Sequence, residues 1–144
     1  MYIKHLNLTM RKLVVLLFSL FVLSCSVDDG NERIYNVILP VEEAVVPTEF
    51  ERGEVYDIYL KYLRPTSCYA YNDVYYVREG NERMVAVVNT VFEGDYECVD
   101  VNELLDASFS FKAGEEDSYV FKFWQGEDDN GDSQYLIIEV PVVD

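Results

Sequence analysis

The sequence is poor in the groups on which most enzyme chemistry depends. It has one histidine, His5, three cysteines, and 11 basic residues against 27 acidic ones. No apolar run is long enough to cross a bilayer, which takes about 20 residues as a helix. The longest, Leu13 to Leu23, is 11 residues and is broken by Ser19. That length, behind the basic pair Arg11 and Lys12, suits the apolar core of a signal peptide. Met10 lies just before the pair, so translation from Met10 rather than Met1 would still give a complete signal. Cleavage removes His5 with the segment and leaves a 120-residue chain without histidine. Histidine general bases, Ser-His-Asp and Cys-His nucleophiles and imidazole metal ligands are then excluded together. No Cys-x-x-Cys pair suggests a zinc site, and no glycine-rich phosphate loop is present. The expected mature chain keeps 8 basic and all 27 acidic residues, net −19. A field of that sign repels phosphate backbones, so nucleic acid is not an expected partner.

The apolar run ends abruptly in "LFVLSCSVDDGNE", residues 20–32. "VLSC" resembles a bacterial lipobox, with Val22 and Ser24 fitting the pattern and Leu23 larger than usual there. The resemblance implies acylation of Cys25 as the first mature residue. "SVDDGNE" is similar to the acidic export signals of surface lipoproteins in Bacteroidota. These likenesses imply a lipid anchor in the outer membrane and display on the cell surface, with the periplasmic face as the alternative. The expected organisation is a signal peptide at 1–24, a lipidated Cys with an acidic tether at 25–32, and one domain at 33–144. The tether is too polar to fold.

With Cys25 assigned to the anchor, Cys68 and Cys98 remain. In an exported protein they predict one disulfide. Closing a loop of about 30 residues would stabilise the fold by roughly 3.5 kcal/mol. Two buried free thiols are the alternative.

Beyond the tether there is no sustained helical period. Short β-rich runs recur with turn residues between them. They are 33–41, 54–63, 68–77, 83–92, 96–101, 108–113, 118–124 and 134–143. Tyr56, Ile58, Leu60 and Tyr62 alternate with more polar residues, as in a strand with one buried face. The nearly continuous apolar run at 83–92 predicts a central, well-covered strand. Residues 102–107, "NELLDA", are the one expected helical turn, with Asn102 as its cap. Seven or eight strands in this length predict an all-β, single antiparallel β-sandwich resembling the immunoglobulin-like architecture. A small barrel is the alternative. Trp124 follows both cysteines, so the likeness does not extend to antibody domains.

Three stretches could carry function. "EDDNGDS", 127–133, offers hard oxygen ligands, but an EF-hand register puts Ile137 where an acid is needed. A hairpin with an Asn-Gly turn explains the same residues, and no metal or cofactor is expected. "YAYNDVYY", 69–76, puts Tyr69, Tyr71 and Tyr75 on one face with Asp73 by alternation. Such a face can stack sugars or grip a peptide, or simply pack against a neighbouring strand. Carboxylate pairs would suit a glycan hydrolase, yet among 27 acids close pairs arise by chance. The expected function is therefore a non-enzymatic binding or accessory module with a glycan, peptide or protein ligand. A purely structural envelope protein and a carboxylate-dependent glycan hydrolase are the alternatives.

Overall fold

The computed structural model describes residues 32–95 and 97–144. The expected signal peptide at 1–24 and Cys25 lie outside the described residues. The described chain is all-β, with nine strands and no helix. They are β1 (Arg33–Leu39), β2 (Val41–Val45), β3 (Phe50–Glu51), β4 (Val55–Thr66), β5 (Tyr69–Glu79), β6 (Glu82–Glu93), β7 (Asp100–Lys112), β8 (Ser118–Glu127) and β9 (Ser133–Val143).

Two sheets form a sandwich. The smaller is antiparallel, in the order β2-β4-β7. The larger is organised on β6. Its one edge carries β5, and its other edge is shared by β1 and β8, beyond which come β9 and β3. All pairings are antiparallel except β6–β8 and β3–β9. The central position of β6 agrees with its apolar sequence, since both of its faces are largely covered. Among the described residues the two sheets keep open edges, which distinguishes the fold from a closed barrel.

The core follows the alternations in the sequence. Ile58, Leu60 and Tyr62 of β4 and Phe111 of β7 face Val85 and Val87 of β6 and Tyr119, Phe121 and Phe123 of β8. Pro40 divides the expected single run at 33–41. Before it, β1 pairs with β6, and after it, β2 pairs with β4 in the other sheet. A residue without an N–H donor suits this break. Gly80, at φ +55°, makes the tight turn between β5 and β6, where Glu79 pairs with Glu82.

Two expectations are overturned on β4 and β7. Residues 102–107 are not a helical turn but the middle of a 13-residue strand. Leu104, Leu105 and Asp106 pair with Leu63, Tyr62 and Lys61. Six residues gain little from a helix of one or two turns, whereas the ladder gives each one a partner. Nor does the strand expected at 54–63 end there, because β4 continues to Thr66. The register slips between Arg64 and Thr66, where Asn102 takes φ +45°. Pro65 lies at this slip, so the missing N–H is accommodated by a bulge and not by a strand end.

Cys68 and Cys98 form the expected disulfide, with Cα atoms 5.3 Å apart. Cys68 is buried in front of β5, and Cys98 sits in the exposed link from β6 to β7. Ser67 N donates to the Val99 carbonyl at 2.9 Å, and Val99 N donates to Ser67 Oγ at 3.0 Å. The bridge therefore fastens the crossover between sheets to the start of β5.

A cationic cleft between two strand edges

The tyrosine-rich strand does not present a single face. Tyr71 pairs with Asn89 but Asp73 pairs with Val88, so Asn72 is an extra residue in the ladder. Its side chain donates to Thr90 Oγ1 at 2.8 Å and to Asn36 Oδ1 at 3.2 Å, which fixes the bulge against the outer side of the sheet. A one-residue insertion exchanges the faces of everything that follows it. Tyr69 and Tyr71 stay on the inner side. Tyr69 packs against the core, and the Tyr71 ring lies 6.4 Å from that of Tyr62. Asp73 and Tyr75 move to the outer side, where Tyr75 pairs with Ala86. The four residues expected to act together are thus divided two and two. In their place Val74, Tyr76 and Arg78 turn inward, opposite Val87, Val85 and Arg83.

That exchange builds one wall of a cleft of about 430 Å³ between β5 and β7. Val74, Tyr76 and Arg78 line it from β5, with the outward Asp73 bordering it across the strand edge, Arg83 from β6, and Phe109, Ser110, Phe111 and Lys112 from β7. Tyr76 packs on Phe109 with ring centroids 5.6 Å apart. Burial raises the Tyr76 hydroxyl above its ordinary 10.0, partly offset by Arg83 and Arg78. The tyrosine is therefore a neutral donor and acceptor at physiological pH.

Arg83 is 5% exposed. Its Nη1 donates to the carbonyls of Gly80 and Glu82, both at 2.7 Å. Its guanidinium carbon lies 4.7 Å from the centre of the Tyr119 ring and 6.0 Å from that of Phe111. These contacts stabilise the cation through ring quadrupoles and carbonyl dipoles, but its buried Nε has no partner. Among the described residues, Arg52, Lys61, Arg64 and Lys122 each have a carboxylate within 4 Å, on Asp144, Asp106, Glu103 and Glu82. Arg33, Arg78, Arg83 and Lys112 have none within that distance, and the last three line this cleft. The one acid in its lining is Asp73, whose carboxylate accepts from Val74 N at 2.7 Å. The paired carboxylates of a glycosidase mechanism are not assembled there.

The other candidate resolves into a turn. Asp128 accepts from Asn130 N at 2.9 Å, Asp132 N at 3.0 Å and Gln134 Nε2 at 3.1 Å. The stretch 127–133 is the connection between β8 and β9, and its first-turn carboxylate holds it closed. Among the described residues no cluster of three or more His, Cys, Asp or Glu side chains is placed to hold a metal ion.

Sequence reasoning missed Tyr76, Arg78, Arg83 and Lys112. The available signal was Arg83 itself, a cation at the head of the apolar run "RMVAVV" in an acidic chain. The chain matches no protein-family model, no curated protein and no solved structure.

Proposed function

We propose that this chain is an exported, lipid-anchored envelope module of immunoglobulin-like architecture that binds an anionic ligand in the β5–β7 cleft without transforming it. The observation that carries the reading is Arg83. A guanidinium 5% exposed and without a carboxylate partner is costly to hold. Carbonyls and aromatic rings offset part of that cost, and an anion arriving from solvent would offset more. Attraction between charges is also stronger at such a partly desolvated site than in bulk water. Groups left electrostatically incomplete in this way concentrate at functional sites. The lipobox resemblance at Cys25 supplies the anchor.

The test separates binding from stability. Arg83→Met keeps the apolar stem and removes the charge. It should weaken the binding of N-acetylglutamate amide, measured by calorimetry, about tenfold or more. Its urea midpoint should stay level or rise, because an apolar replacement for an uncompensated buried cation is often neutral or stabilising. A fall in stability with unchanged binding would make Arg83 a structural residue and overturn the reading. For the anchor, Cys25→Ala should abolish metabolic incorporation of labelled palmitate and release the protein from the membrane fraction. A variant that still carries label would place the lipid elsewhere.

A further inference from the structure

The lining from β7 has a second peculiarity. Phe109, Ser110, Phe111 and Lys112 are consecutive. Successive side chains of a strand point to opposite faces, so four in a row can border one cavity only through the edge of the strand. That edge is open. Among the described residues β7 pairs with β4 alone, and β5 pairs with β6 alone. The cleft therefore offers unpaired backbone N–H and C=O groups beside three cations without carboxylates. Backbone edges bind other backbones, and cations select acids.

We infer that the ligand of the cleft is an extended acidic peptide segment, which adds to the free edge of β7 as a fourth strand of the smaller sheet, its carboxylates held by Arg78, Arg83 and Lys112. This rests on the cleft being the binding site. Strand addition would supply hydrogen bonds indifferent to sequence, while the charges and the Tyr76–Phe109 wall would set the preference. The acidity of the rest of the chain does not prevent it. At physiological salt the field of distant surface carboxylates is screened within about 8 Å, and the cations lie at the contact itself.

The experiment uses the mature chain and an end-blocked nine-residue peptide of alternating Glu and Thr. Two further peptides carry N-methyl groups on either the odd or the even amides. In a strand, N–H groups alternate between its two edges, so only one set can meet β7. The parent peptide should bind at least tenfold more tightly than N-acetylglutamate amide. One methylated peptide should lose that gain and the other keep it. Arg78→Gln, a change at an exposed position, should weaken the parent peptide severalfold. If both methylated peptides bind like the parent, charge alone holds them, and strand addition fails while the cleft survives as an anion site. Tighter binding of a hexuronate oligosaccharide than of the peptide would likewise overturn the inference. If none of these probes binds, both readings fall. Should Arg78→Ala with Lys112→Ala then self-associate, the cations serve to keep an open edge from pairing with other copies.

Discussion

Phe121→Ala should lower the free energy of unfolding by about 3–5 kcal/mol, the usual cost of removing a buried aromatic side chain. Phe121 is fully buried on β8. Its ring lies 5.1 Å from that of Phe111 on the opposite sheet, 6.0 Å from Phe50 and 5.8 Å from Phe123. No neighbour can close the resulting void cheaply, because the residues flanking it are rigid rings on two hydrogen-bonded sheets. The loss also reaches the cleft, since Phe111 packs on Phe121 and borders Arg83. Phe109→Ala is the comparison. Phe109 is half-buried, at the cleft rather than within the core, and its removal should cost about 1–2 kcal/mol, because water can occupy the space. Urea unfolding of both variants checks the order. Equal losses would mean that the cleft wall is as tightly packed as the core.

The core was legible because it depends on local pattern. Tyr56 to Tyr62, Phe109 and Phe111, and Tyr119 to Phe123 alternate with period two, and a sheet with one buried face requires that period. The central place of β6 was legible for a related reason, since "VAVV" leaves neither face polar. The helical turn at 102–107 failed because its evidence was also local, while the deciding interaction was not. Leu104 and Leu105 read equally well as helix or strand, and the choice is made by Leu63 and Tyr62, some 40 residues away. Propensities worth tenths of a kcal/mol do not resist a complete ladder.

The site was less legible, because it depends on a one-residue irregularity. Alternation through 69–76 assigns Tyr69, Tyr71, Asp73 and Tyr75 to one face, and the bulge at Asn72 sends the last two to the other. Nothing in "YAYNDVYY" alone specifies the bulge. It is fixed by Asn36 and Thr90 on neighbouring strands. The disulfide was legible from counting cysteines in a chain expected to be exported, whereas the cleft requires β5 and β7 to be known as edges, and strand order is a property of the whole topology.

Removing the disulfide is the second large perturbation. Cys68→Ser with Cys98→Ser should cost about 3.5 kcal/mol, from the entropy an unfolded chain regains when a loop of 30 residues is released. The same loss should follow when wild type is unfolded in excess reductant, and reductant should not affect the double variant. The size of the effect has a second meaning. The released loop contains the β5–β6 hairpin, closed by the tight turn at Gly80. If that hairpin persists in the denatured chain, the cysteines are already near one another and the bridge adds little. A loss below about 1 kcal/mol would therefore indicate a structured denatured state, and a lower denaturant slope for both proteins would accompany it. The bridge joins the Cys68 end of β5, whereas the cleft is formed by Asp73 to Arg78 farther along the strand. If the cleft binds anions as proposed, the folded double variant should bind them as wild type does. If binding falls with the bridge, the crossover at 97–99 helps to position the edge of β7, which begins immediately after it.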